Sequence, residues 1–553
     1  MTLLIFDRPP PPSRSSRYLP LLLSLLLSFA TAPYASAGGF LGLSSVRSTS
    51  FVNEDLLFFD PQAGDRFAWS LAVGDFNGDN ADDLATGLPF DDGIAGFEVS
   101  DGGAVTVRYG GLGSGLGGEV LVLSQFSAGS PDPDEANDQF GWALAAGDFN
   151  GDGEEDLAVG VPGNAGGGDP PIRGAVAIHY GFTSGIELDA EQFLERGRNG
   201  IPLDYGMFGF GRTLAAGDFD GDGRQDLAIG TPDDGVSSVG PYATSGGAVT
   251  VLHGGIGGLL PYFGYRIDQG HAAIADVPED FDLFGRALAT GDFNNDSYDD
   301  LAIGVPGEDE HAGAVEILFG NAAGLLFDSS VIYRQAQAGG GATTETGDDF
   351  GAALAAGDFD GDGFDDLAIG APLEDEGSLP LGAADTGAIT ILYGSAAGFN
   401  LARSDYFQQS DVYGVGAADQ AGDFFGTALA AGDFDGDGHG DLAVGHPGES
   451  ADGSDRGATT VLLGAAGGFL ARYGVLHAGV AGVAGAPQDS QDFGRTLASG
   501  DFDGDLFADL VVGVPYFNLP ALNDVGAEIV LYGALFADGF EGASSAAWSS
   551  STP

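Results

Sequence analysis

Short apolar runs of five to eight residues, bounded by Gly, Asp or Pro, recur over most of the chain. Within a run, large side chains alternate with small or polar ones at the period of two that marks a β-strand. No window keeps an apolar stripe at helical spacing over three turns. The runs come in groups of four. The first passes through Leu-Ala-x-Gly-Asp-Phe, and the second is Asp-Leu-Ala-Val-Gly or a close variant. A β-branched Gly-Ala-Val-Thr-Val run is the third, and a looser apolar segment such as Val120 to Gln125 or Ser330 to Arg334 is the fourth.

This unit occurs seven times. Each copy opens with Phe-Gly, or Phe67-Ala68 in the first, and ends Asp-Leu-x-x-Gly-x-Pro or nearly so. A second signature follows every copy: GAVTVRYG from Gly103, GAVAIHYG from Gly174, GAVTVLHG from Gly247, GAVEILFG from Gly313, GAITILYG from Gly387, GATTVLLG from Gly457 and GAEIVLYG from Gly526. Seven four-stranded antiparallel units with no helical partner predict an all-β fold, a seven-bladed β-propeller, in which only short blade edges stay exposed. An open solenoid is the competing arrangement. The ends favour closure. The seventh unit lacks a fourth strand after Gly533, while Glu54 to Phe59 supplies an apolar strand ahead of the first unit.

The turn between the first and second runs carries the candidate chemistry. Oxygen-bearing side chains stand at loop positions 1, 3, 5 and 9, with a backbone carbonyl expected at 7. The loops offer Asp75, Asn77, Asp79 and Asp83; Asp148, Asn150, Asp152 and Asp156; Asp218, Asp220, Asp222 and Asp226; and Asp292, Asn294, Asp296 and Asp300. The last three offer Asp358, Asp360, Asp362 and Asp366; Asp433, Asp435, Asp437 and Asp441; and Asp501, Asp503, Asp505 and Asp509. Alternate residues of a tight loop turn their oxygens to one point, and hard oxygen donors without Cys or His suit Ca²⁺ rather than zinc or copper. Up to seven Ca²⁺ are expected, since carboxylates this close repel unless a cation joins them. Position 6 requires a left-handed backbone, which Gly153, Gly223, Gly363 and Gly438 accept freely. Leu506 fits that position worst, so the seventh loop is expected to bind most weakly.

These motifs resemble the FG-GAP repeats of the integrin α-subunit N-terminal propeller, over roughly residues 50 to 533. The Gly-Ala-Pro element is literal only at Gly370-Ala371-Pro372 and is Gly-x-Pro elsewhere, as at Gly160-Val161-Pro162. The resemblance implies calcium in the loops under the blades and ligand binding on the opposite face. Integrin propellers carry such loops in only some blades and continue into leg domains. Here all seven loops are intact, as in bacterial exported FG-GAP proteins.

Composition narrows the function. Eighty-two Asp and Glu stand against 18 basic residues, all arginine, for a net charge of −64. That excess argues against nucleic acid or an anionic membrane as partner. Residues 1–37 read as an export signal, with Arg8, Arg14 and Arg17, an apolar run from Leu19 to Ala30, and Ala35-Ser36-Ala37 as cleavage site. A membrane anchor is the alternative, but the run is short for a span. Residues 38–50 then form a linker, 51–533 the propeller and 534–553 a tail, and the protein is expected to be secreted or on the cell surface. The chain has no Cys, so no disulfide fastens the ring.

Variable loops on the face opposite the metal turns are the expected site for an extracellular protein or glycan ligand. Asp91, Asp92, Glu308 to Glu310 and Glu374 to Glu376 suggest a cationic or calcium-bridged partner; Phe90, Tyr242, Tyr516 and Phe517 are candidates to stack on sugar. No zinc-protease pair or nucleophile elbow is present, and Gly113-x-Gly115-x-x-Gly118 precedes a strand rather than a helix. The chain therefore reads as a non-enzymatic binding or adhesion module. The alternatives are a propeller lyase or hydrolase acting on polysaccharide through an unrecognised carboxylate pair, or a structural matrix protein.

Overall fold

The computed structural model describes residues 48–52 and 62–533, except 93–98, 126–134, 166–173, 187–190, 197–200, 202–208, 236–245, 272–273, 275, 277, 339–344, 376–383, 414–419, 451–455, 471–472, 478–490 and 520–521. The expected export signal and tail lie outside the described residues, as does the Glu54 to Phe59 segment. Among the described residues no helix is long and apolar enough to cross a membrane.

Seven four-stranded antiparallel sheets follow one another along the chain. In the first blade the strands are Ser70–Gly74, Asp83–Leu88, Ala104–Arg108 and Val120–Leu123, paired in sequence order. The second and third strands are buried along their whole length, as befits the middle of a sheet covered on both faces. In the fourth blade the last strand is longer than its apolar pattern suggested, Leu326–Tyr333, because a register shift between Ile317 and Phe319 lets it continue beyond the bulge.

The seventh sheet settles the topology. Its outer strand is Ser48–Val52, paired antiparallel with Ala527–Leu531, so the N-terminal end completes the last blade and the ring closes. The closing strand thus lies upstream of the segment the sequence suggested. Ser-Thr-Ser-Phe-Val is β-branched and half polar, which suits an outer strand with one solvated edge better than a continuous apolar run does. The first strands of neighbouring blades touch all the way round, including the junction of the seventh with the first, and so form the inner ring.

The core lies between blades. One apolar cluster joins Phe76 and Val107 of the first blade to Leu157 and Val159 of the second, and equivalent clusters fill the later junctions. Leu84, Phe502, Val511 and Val530 close the seventh blade on the first. Two phenylalanines per blade are fully or almost fully buried: the Phe-Gly phenylalanine, as in Phe140, and the one at loop position 2, as in Phe149. Burying each contributes about 1.5–3 kcal/mol. Each Phe-Gly phenylalanine also bridges, backbone to backbone, the glycine that opens the third strand of the preceding blade; Phe67 and Gly526 repeat that bridge at the closing junction. The same junction buries an ion pair of Arg108 with Glu528, whose carboxylate also accepts from the Thr86 hydroxyl at 2.7 Å.

Removing residues 48–52 leaves the edge of Ala527–Leu531 unpaired. It should lower the melting temperature by more than about 5 °C, measured by calorimetry. An unchanged melt would mean that this strand does not fasten the ring.

Candidate metal centres

The seven Asp-rich loops share one face, and the sequence builds each the same way. The position 1 carboxylate accepts from the backbone N–H of positions 5 and 6; in the first loop Asp75 accepts from Asp79 at 3.0 Å and Asn80 at 2.8 Å. The pair recurs in all seven loops. The position 5 carboxylate accepts from the N–H of position 7, as in Glu154 to Asp152 at 3.2 Å. Position 6 is left-handed throughout, including Asn80 at φ 66°, Ser297 at 71° and Leu506 at 73°.

The position 9 aspartate opens the second strand and is buried in every blade. One of its oxygens accepts from the glycine that follows the third strand, as in Gly110 to Asp83 at 2.8 Å and Gly394 to Asp366 at 2.8 Å. In six loops the other oxygen accepts from the position 2 phenylalanine, as in Phe434 to Asp441 at 2.8 Å. One carboxylate therefore joins the loop, the second strand and the end of the third. Burial pushes the Asp83, Asp156, Asp300, Asp366, Asp441 and Asp509 carboxyls up to about 8, with like charges of the same loop adding to the rise and the N–H donors opposing it.

The donor sets fit a hard cation. Carboxylate oxygens of positions 1, 3 and 9 lie within 4.8 Å of one another in the fifth, sixth and seventh loops, and those of 1, 3 and 5 do so in the third. In the fourth loop the buried Asn294 Oδ1 has no hydrogen-bond partner among the described residues. The first, second and fourth loops carry Asn at position 3 and so bring fewer charges together. The convergence is not uniform: where 1, 3 and 9 meet, the position 5 oxygens stand outside the cluster and cap their own turn. Arg403 pairs with Asp360, and Arg224 with Asp222.

Two features escaped the motif. His253, near the end of the third blade's third strand, places Nδ1 3.0 Å from Asp226 and 3.4 Å from Asp220. This adds an imidazole to a cluster read from sequence as oxygen only, and the Asp226 hydrogen bond raises the His253 pKa. The second is a clasp between blades at position 8. Its backbone N–H donates to the position 1 carbonyl of the preceding blade, as in Glu155 to Asp75 at 3.1 Å and, across the closing junction, Asp82 to Asp501 at 2.9 Å. Its side chain accepts the position 1 N–H in return. Glu155, Gln225, Asp299, Asp365 and Asp82 do so at 2.7 to 3.1 Å. Gly440 and Ala508 keep only the backbone half. A Cβ on Gly74 would meet the Glu155 carboxylate at 2.1 Å, which explains the glycine that ends the first strand.

On the other face, several acids expected to meet a ligand are structural. Asp91, Glu308 and Glu374 are buried, and Gln269 donates to Glu308 and Gln335 to Glu374 across blade junctions. Asp309 and Glu310 remain exposed. Phe90 packs edge-on to Trp69 at 5.4 Å, Tyr516 lies 5.0 Å from the Arg66 guanidinium, and Phe517 packs on the core; Tyr242 is outside the described residues. His446 is buried against Thr460, and His439 lies against Asp437 in the sixth loop.

Two substitutions test this construction. Leu506→Gly relieves a left-handed leucine that is 88% exposed and should stabilise the protein by a net of about 0.5–1 kcal/mol; a lower melting temperature would refute the strain. Burial raises the Glu155 pKa from 4.5 to about 7, so ionisation opposes folding as pH rises through that window. In EDTA-treated protein Glu155→Gln should keep the clasp, as Gln225 does. It should gain stability over wild type from pH 4.5 to about 7 and hold that gain above it. Glu155→Ala should lose about 1 kcal/mol at acid pH. Equal melting curves for the two variants would dismiss the clasp.

The FG-GAP repeat family matches at residues 67–107, 140–179, 210–252, 284–318, 350–392, 425–462 and 493–531. The chain is 33% identical to integrin alpha-PS2 of Drosophila melanogaster over 241 residues, 43% of this chain and 16% of that protein. It is 34% identical to phosphatidylinositol-glycan-specific phospholipase D of Mus musculus over 167 residues, 30% of this chain and 18% of that protein. The chain therefore spans less than a fifth of the length of either relative. A solved rhamnogalacturonan lyase of Bacillus licheniformis aligns with a TM-score of 0.38 and 11% identity, covering 88% of this chain and 72% of that one. With a match in every blade, on the motifs that build both the loops and the junctions, the chain belongs to the FG-GAP repeat family.

Proposed function

We propose that this protein is an exported, calcium-loaded propeller that serves as a non-enzymatic ligand-binding or adhesion module. The observation that carries the reading is the set of seven loops with one hydrogen-bonding scaffold and a buried position 9 carboxylate, whose oxygens converge in four of them; among the described residues most of these loops have no arginine paired to their aspartates. Ca²⁺ would be held by the aspartates and asparagines at positions 1, 3, 5 and 9, most weakly in the seventh loop. It would supply the charge that lets neighbouring carboxylates ionise together. Binding at about 10⁻⁴–10⁻³ M would suffice outside the cell. The integrin α likeness supports a surface or secreted setting and an extracellular protein or glycan partner on the face away from the loops.

The pH dependence follows from the position 9 carboxyls. In six of the seven blades their pKa rises on folding from 3.8 to about 8, so the metal-free protein loses stability as pH rises through that interval. A bound cation removes the penalty by displacing the protons. Millimolar calcium should therefore raise the melting temperature more at pH 8.5 than at pH 6, and calcium binding near neutral pH should release protons, seen by calorimetry in buffers of different ionisation enthalpy. A calcium shift that is absent, or equal at the two pH values, would remove this reading of the loops.

A further inference from the structure

The residue after each Phe-Gly stands at the start of the inner strand, on the face away from the metal loops. Here the blades differ: the position holds Trp69, Trp142, Arg212, Arg286 and Arg495 in the first four blades and the seventh. Ala352 and Thr427 in the fifth and sixth leave one side open. Since the inner strands form a closed ring, these side chains gather round the mouth of the central channel.

Elsewhere most arginines among the described residues are neutralised, while Arg66 lies 4.6 Å from the Phe90 ring. Arg108, Arg196, Arg266, Arg334 and Arg403 each reach a carboxylate. At the mouth, Arg286 and Arg495 are exposed, and among the described residues neither guanidinium has a hydrogen bond or ion pair. Arg212 has only a loose contact, 3.7 Å, with the exposed Asp233. Although solvent reaches the Arg286 side chain, protein crowds its guanidinium, and that desolvation, then the charges of Arg212 and Arg495, lower its pKa, with Asp233 and Asp349 opposing them. Arg495 belongs to a blade that does not adjoin that of Arg286, so the two charges act on each other across the opening.

The cationic patch is continuous with an aromatic wall. The Arg212 guanidinium lies 4.7 Å from the Trp142 ring, Trp142 is 5.2 Å from Trp69, and Phe90 is 5.4 Å from Trp69 and 5.8 Å from Trp142. All three rings are half-exposed. Unpaired guanidiniums favour a carboxylate, which they can take with two hydrogen bonds. Half-exposed indoles beside them favour a flat, largely apolar ring face. An oligoglutamate would use the first feature alone; a carboxylated sugar uses both.

We propose that the mouth of the central channel binds a carboxylated sugar, with Arg286, Arg212 and Arg495 holding the carboxylate and the Trp69–Trp142–Phe90 wall packing on the sugar ring. The site deepens the ligand-binding reading and rests on it, and it reverses the sign of partner that the acidic loops suggested. It is tested by titrating the calcium-loaded full chain with a short oligoglucuronate, a neutral glucan of the same length and an oligoglutamate peptide, followed by tryptophan fluorescence and calorimetry. The expected result is saturable binding of the oligoglucuronate alone, weakened about tenfold or more by Arg286→Gln and by Arg495→Gln. Both variants remove an unpaired like charge, so their melting temperatures should be no lower than wild type. Equal binding of the neutral glucan, unchanged affinity in both variants, or no binding overturns the site, and equal binding of the peptide overturns the sugar assignment. Any of these leaves the calcium-dependent melt, and hence the wider reading, standing on its own test.

Discussion

A four-stranded sheet with two apolar faces cannot bury either face by itself, and that constraint organises the molecule. Each blade covers its neighbours, so every apolar cluster is shared between two blades and the last must be shared with the first. An open row would leave two such faces in water. The ring follows, and with it the need for small residues where backbones approach, for phenylalanines that plug each junction, and for an N-terminal strand that completes the seventh sheet.

The acidic loops are attached to this framework rather than appended to it. The position 9 aspartate binds the end of the third strand, and position 8 binds the preceding blade, so the charge of a loop acts directly on a junction. Crowded, desolvated carboxylates oppose the closure that the apolar clusters favour. The electrostatics at one end of the ring thereby become a control on its stability, while the other end remains free to vary.

That division is visible in the two faces. The loop face repeats almost identically seven times, down to hydrogen bonds that differ by a few tenths of an ångström. The opposite mouth does not repeat: Trp, Trp, Arg, Arg, Ala, Thr and Arg occupy one structural position. A scaffold whose backbone is specified everywhere by the same motif can change this single side chain without loss of fold, which is the usual condition for a recognition surface.

The period-two runs and the two linked signatures fixed the blade count, the strand order within a blade and the left-handed position 6, because these depend on residues close together in the chain. The Asp-rich loops were legible for the same reason: positions 1, 3, 5 and 9 lie within nine residues, and the oxygens of 1, 3 and 9 come together in three loops and those of 1, 3 and 5 in one. Position 8 was equally regular in five blades, yet its partner lies about one repeat earlier, or for Asp82 at the far end of the chain, and nothing local announces it. The same holds for His253, which reaches Asp226 from the end of another strand, and for Ser48–Val52, whose partner stands at the far end of the chain. For three acids of the opposite face burial decides the role: Asp91, Glu308 and Glu374 have the composition of a ligand surface but are buried, and Glu308 and Glu374 take part in junctions. Short-range geometry is written in the sequence, whereas the contacts made by closing the ring, including the gathering of three arginines at its mouth, exist only once distant repeats share one axis.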